Sequence, residues 1–321
     1  MSQFPDPKFA ELGDIRMAYY EEGAEGALPV IFSHGFPELA YSWRHQLPAV
    51  AAAGFRAIAP DQRGYGLTDA PEKTEDYDIT HLTGDLVALL DHLGEEKAVF
   101  VGHDWGGMVV WAMGQLHPDR VAGVVGVNTP FLPRAPMKPI DMMRAAFGES
   151  HYIVHFQQPG DADRRLAADT RRTLSQLYRK GVPLKQLMDE AKKTGKRPSF
   201  NLCEIVEGED APGEMCVTAD ELDFYVKMFE KSGFTGGINW YRNMNRNWEI
   251  MENVPQKVDA PSLMVTARND VALPPSLAKG MERYVPDLET HMIEDCGHWT
   301  QSEQPARLNE ILSTWLKKRF G

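Results

Sequence analysis

Asp104 lies in Val99-Phe100-Val101-Gly102-His103-Asp104-Trp105-Gly106-Gly107, where a short apolar run meets small residues and then a helical pattern. That order predicts a strand, a sharp turn and a helix: the nucleophile elbow written G-x-S-x-G, with aspartate where serine is expected. The exchange alters the chemistry. A carboxylate is already ionised at pH 7 and needs no base to become a nucleophile. Its place at a helix N-terminus is expected to hold it further toward the anion. It is a weak nucleophile, so its natural target is an activated sp3 carbon, attacked by displacement.

Two more residues fall in the order that an elbow enzyme uses: nucleophile, acid, histidine. Asp270 follows the apolar run Ser262-Leu263-Met264-Val265-Thr266-Ala267, and His298 follows Glu289-Thr290-His291-Met292-Ile293. Asp270 is expected to orient His298 and stabilise its imidazolium. Asp104 needs no deprotonation, which leaves His298 free to act on water in a second step. A single Asp in a turn more often caps a backbone N–H, and a single His is more often structural. Three such residues in order, each at a strand end, outweigh those readings. His34-Gly35-Phe36-Pro37 follows the run Val30-Ile31-Phe32-Ser33, where the second oxyanion donor of an elbow enzyme sits. The backbone amides of Phe36 and Trp105 are the expected donors, holding charge when water attacks an alkylated Asp104. Asp61-Gln62-Arg63-Gly64-Tyr65-Gly66-Leu67-Thr68-Asp69 lacks the Lys-Ser/Thr end of a phosphate-binding loop and is read as structural.

The leaving group separates two substrate classes. A halide departs as a stable anion and wants N–H donors, which the Trp105 indole could supply. An epoxide oxygen departs as a basic alkoxide and must receive a proton. A phenol, with a reference pKa of about 10, can give that proton and still be protonated at neutral pH. Tyr152, in His151-Tyr152-Ile153-Val154-His155-Phe156, and Tyr241, in Asn239-Trp240-Tyr241-Arg242-Asn243-Met244, are candidate acids. Spacing alone leaves them as candidates, since helical tyrosines usually pack.

The elements that must position these residues alternate. Short apolar runs at 30–33 and 55–59 flank a helical stretch over 42–53. Ile79, Leu82, Leu86, Leu89, Leu90 and Leu93 keep helical spacing between Asp78 as N-cap and Gly94 as stop. The elbow strand and helix follow, Pro118 lies just past that helix, and 121–127 is the next strand. Such alternation predicts an α/β fold with a mainly parallel sheet flanked by helices. From about 133 to 248 the strand signal disappears, and the chain is helical in pattern with a polar break at Gly208–Gly213. The expected organisation is a core formed by 1–132 and 249–321, with 133–248 as a helical cap. Leu308, Ile311, Leu312, Trp315 and Leu316 form one face of a closing helix.

Acidic residues outnumber basic ones 46 to 34, a net charge of −12, which argues against nucleic acid or an anionic membrane as partner. Three scattered cysteines make neither a disulfide framework nor a zinc site. No cofactor and no metal is expected. No run of about 18 apolar residues occurs, and the first residues carry no basic and apolar leader pattern. The expectation is a cytoplasmic monomer or homodimer.

The chain resembles the α/β-hydrolase-fold epoxide hydrolases, above all the hydrolase half of the soluble vertebrate members. The likeness runs over nearly the whole chain. Its most specific segments are Phe156-Gln157-Gln158-Pro159-Gly160, Asn239-Trp240-Tyr241-Arg242-Asn243-Met244 and Glu294-Asp295-Cys296-Gly297-His298-Trp299-Thr300-Gln301. It implies that Tyr152 and Tyr241 are paired lid tyrosines that bind and protonate the epoxide oxygen. It also implies Asp270 and His298 as the charge-relay pair. No counterpart of the vertebrate phosphatase half is expected from these residues, so no phosphate-ester chemistry is carried over. The expected function is hydrolysis of a largely apolar epoxide by water, giving a vicinal diol, with Phe36, Trp105 and Trp299 lining the pocket beside the tyrosines. Haloalkane or haloacid dehalogenation, and ligand binding without turnover on the same fold, are the alternatives.

Overall fold

The computed structural model describes residues 4–194 and 199–321. Eight strands form one sheet: β1 (Lys8–Glu11), β2 (Arg16–Glu22), β3 (Pro29–Ser33), β4 (Arg56–Pro60), β5 (Ala98–His103), β6 (Val121–Val127), β7 (Ser262–Ala267) and β8 (Leu288–Ile293). Their order is β1-β2-β4-β3-β5-β6-β7-β8. The first two pairings, β1 with β2 and β2 with β4, are antiparallel, and all later ones are parallel. The antiparallel edge is absent from the sequence reading. Its strands are charged at their ends, and Glu21 of β2 pairs with Lys8 and Arg56.

Apart from the edge strand β8, the parallel strands are buried on both faces, so they are continuous apolar runs, not alternating ones. Alternate residues still part to opposite sides. Val30, Phe32, Val99, Val101, Val125 and Val265 pack with α1 (Gln46–Ala52) and the closing helix α14 (Pro305–Phe320), through Leu47, Leu308, Leu312 and Trp315. Ile31, Phe100, Val124 and Met264 pack on the other side with α2 (Ile79–Leu93) and α3 (Trp105–Leu116). The helix expected over 42–53 is divided, with a 3-10 turn at Ala40–Trp43 before α1.

Between β6 and β7 the described chain is helical: α4 (Pro139–Phe147), α5 (Tyr152–His155), α6 (Asp161–Ala167), α7 (Thr170–Leu177), α8 (Leu184–Thr194), α9 (Leu202–Glu207), α10 (Ala219–Ser232), α11 (Thr235–Arg242) and α12 (Met244–Ile250). Its buried side chains, including Phe156, Tyr225 and Trp240, join the same apolar cluster as α2 and α3. Among the described residues no helix is long and apolar enough to cross a membrane.

Candidate active site

Asp104 stands between β5 and α3 with φ 51° and ψ −123°, a backbone that few non-glycine residues adopt. The small residues around it permit the turn. A Cβ on Gly106 would fall 2.0 Å from the Ser33 carbonyl oxygen, and one on Gly102 would fall 2.2 Å from the Gly106 carbonyl oxygen. The strand can therefore enter the helix in a single step against β3.

The Phe36 N–H donates to Asp104 Oδ1 at 2.8 Å, and the Trp105 amide adds a weaker pull on the same carboxylate. Asp104 Oδ2 faces His298 Nε2 at 3.7 Å. On the other side of the imidazole, Nδ1 lies 3.0 Å from Asp270 Oδ2. Asp270 is buried and fully engaged. Its Oδ1 accepts the Ala272 and Leu273 N–H groups, each at 2.9 Å, while Oδ2 also accepts Asn128 Nδ2 at 2.6 Å. The structure thus brings together the three residues expected at separate strand ends.

Burial would raise the Asp270 carboxyl, but His298, Asn128 and the loop amides hold it well below the usual carboxylate range. Burial would lower the His298 imidazole, and the charges of Asp270 and Asp104 overcome this and carry it up to about 9. Burial pushes the Asp104 carboxyl above its ordinary value, with His298, His103 and the two amides only partly opposing it. One expectation changes here: the helix N-terminus does not prevail over desolvation at Asp104. His298 rests as an imidazolium between two carboxylates, stabilised by Asp270 as expected.

Tyr152 on α5 and Tyr241 on α11 meet over this arrangement. Their ring centres are 5.7 Å apart at 76°. Tyr241 also packs edge-on against Phe36 and Trp105, at 5.5 and 5.1 Å. Burial, reinforced by the Asp104 charge, pushes both phenols up, so both keep their protons at neutral pH. Trp299 lies edge-on to His298 at 4.7 Å, with its Nε1 donating to the Leu177 carbonyl.

A surrounding network is missing from the sequence reading. Asn128 directly follows β6 with φ 64°, and besides Asp270 it reaches the Gly297 and His298 carbonyls at 3.2 and 3.3 Å. His103 Nε2 donates to the His298 carbonyl at 2.7 Å, and its Nδ1 lies 2.8 Å from Glu38. Glu38 also accepts the Gly35 N–H at 2.8 Å and is bonded by Gln301. Burial would raise Glu38, yet His103 brings it down to about 2. Only Asn128 offered a signal, as a polar residue at the end of an apolar strand run. Among the described residues no group of three or more His, Cys, Asp or Glu side chains is placed to hold a metal ion.

A strand-borne nucleophile, a histidine and an acid at successive ends of a mainly parallel sheet define an α/β-hydrolase. A family model described as alpha/beta hydrolase fold matches residues 29–305. Epoxide hydrolase A of Mycobacterium tuberculosis is 41% identical over 315 residues, covering 97% of this chain and 97% of that protein. The crystal structure of epoxide hydrolase A from Mycobacterium thermoresistibile superposes with a TM-score of 0.88 at 41% identity, covering 98% of each chain. Bifunctional epoxide hydrolase 2 of Sus scrofa is 42% identical over 306 residues, 94% of this chain but 53% of its own length. The chain thus spans about half of that bifunctional relative. It belongs to the epoxide hydrolases of the alpha/beta hydrolase fold family.

Proposed function

We propose that the chain opens epoxides to vicinal diols through a covalent ester on Asp104. The observation that carries this reading is the division of labour between the carboxylate oxygens. Oδ1 is bonded to the Phe36 N–H, while Oδ2 faces the imidazole. Oδ2 attacks a ring carbon, the C–O bond breaks, and the ring oxygen takes a proton from the Tyr152–Tyr241 pair. Water then gives a proton to His298 and attacks Cγ of the ester. The resulting charge falls on Oδ1, already in place before the Phe36 and Trp105 amides. Collapse expels the diol oxygen, which takes the proton from His298, and the acid proton left on Asp104 passes to His298, restoring the resting imidazolium.

The electrostatics support this order. Esterification removes one of the charges that hold His298 up to about 9. The event that forms the ester therefore lowers the imidazole, which gives its resting proton to the tyrosinate left by ring opening and so becomes a base. A departing halide needs no proton and would leave the two protonated phenols over Asp104 without a role, whereas an epoxide oxygen uses them. Aromatic walls from Phe36, Trp105, Trp299 and the two tyrosines favour an apolar aryl or alkyl epoxide, with residues 133–248 serving as a cap. We place the protein in the cytoplasm as a monomer or homodimer, without cofactor or nucleic acid.

Incubation with styrene oxide in 18O water under single-turnover conditions tests the route. The label is expected in Asp104 and not in the diol; a labelled first-turnover diol contradicts the ester. Halide release from a bromoalkane without diol formation from styrene oxide would overturn the substrate assignment.

A further inference from the structure

Glu303 ends α13 (Thr300–Glu303), the short helix that follows the His298 loop. Its carboxylate collects three backbone N–H groups. Oε2 accepts from Gly297 at 2.8 Å and from Gly181 at 3.0 Å, and Oε1 accepts from Trp299 at 3.0 Å. Gly297 and Trp299 flank His298 in sequence, whereas Gly181 belongs to the helical insertion. The two glycine backbones are in contact, since a Cβ on Gly181 would lie 2.3 Å from the Gly297 Cα. A second tie joins the same parts, from Trp299 Nε1 to the Leu177 carbonyl at 2.7 Å. The segment 177–181 also reaches the opposite side of the site, where the Tyr178 hydroxyl donates to the carbonyl of Pro37, next to Phe36.

We infer that Glu303 is a positioning residue that locks the 177–181 segment to the His298 loop. The imidazole is then aligned on the ester only while the insertion is seated. The inference rests on His298 as the base of the second step. Three N–H donors converging on one side chain require both of its oxygens to accept. A glutamine has one such oxygen and sets an NH2 group against the remaining donors, so Glu303→Gln keeps the shape and breaks the clamp. Attack of Asp104 on the epoxide does not use His298 Nε2, but attack of water on the ester does. Loosening the loop should therefore slow the second step selectively.

The experiment mixes excess enzyme with styrene oxide, quenches at intervals, and follows the ester by intact mass. For Glu303→Gln, ester formation is expected within about twofold of the parent, while hydrolysis slows by about tenfold or more and ester accumulates. Glu303→Ala removes all three acceptor contacts and should slow the same step at least as much. Unchanged hydrolysis in both variants overturns the inference, as does an equal loss in both steps, which marks a merely structural residue. His298→Gln in the same assay keeps the underlying reading separate. If it forms no lasting ester, the assignment of the base fails, whatever Glu303 does.

Discussion

At the scale of single residues, the site runs on one charge that appears and disappears. Asp104 and Asp270 together carry the His298 imidazole up to about 9, so removing the Asp104 charge imitates the ester. In Asp104→Asn the imidazole should titrate closer to its ordinary 6.5, read directly from its ring-nitrogen NMR signals. The linked stability has a definite sign. A histidine raised in the folded state contributes stability that is fully present below about 6.5 and lost as pH rises through about 9. In the Asn variant that loss should be complete at lower pH. An imidazole that still titrates near 9 would show that Asp270 alone sets it. The phenols act at the other end of the reaction. Tyr152→Phe and Tyr241→Phe should each slow ester formation by about ten- to a hundredfold, and the double variant by about 10⁴-fold. Ester formation at the parent rate in the double variant contradicts their role as acid.

At the scale of elements, caps and apolar runs made much of the core legible. The span 121–127 is a strand to the residue, and α2 begins and ends where Asp78 and Gly94 predict. Asp78 does more than cap. Its Oδ1 accepts the Thr80 and His81 N–H groups at 3.0 and 3.2 Å, and its Oδ2 lies 2.8 Å from Arg246 of α12. Burial would raise Asp78, but these bonds hold it down to about 2. Asp78→Ala should cost about 1–2 kcal/mol at neutral pH. Because a depressed carboxyl stabilises above its ordinary value of 3.8, the gap from the parent should close as pH falls through about 2. Urea melts across that range measure it, and a gap independent of pH would assign the loss to packing. The hairpin of β1 and β2 was not legible, because its pairing with β4 comes from tertiary contact and its ends are charged. The Glu38–His103–Gln301 network was hidden for a similar reason. Its members lie 65 and 198 positions apart, and only the finished sheet brings them together.

At the scale of the whole molecule, the question is what seats the helical insertion on the core. Arg44 precedes α1, and Glu221 lies in the first turn of α10; their Nε–Oε1 distance is 2.6 Å, with only 7% and 13% of the side chains exposed. Beside them the Ser42 and Tyr225 hydroxyls bond at 2.9 Å. Phe4 adds an aromatic bridge from Tyr20 and Tyr41 of the core to Phe224 of the insertion, at 4.7, 4.9 and 6.5 Å. Two desolvated charges recover their hydration cost only while paired, so deleting one leaves the other buried and alone. Arg44→Ala should therefore lose about 3–5 kcal/mol of unfolding free energy. Replacing both partners, as in Arg44→Met with Glu221→Leu, should restore most of that loss, since a matched apolar pair strands no charge. Denaturant melts of the two variants separate the explanations. Recovery in the double variant shows that the cost belongs to an orphaned charge. A double variant as weak as the single one would show that the ion pair itself holds insertion and core together, and its KM for an epoxide should then rise as well.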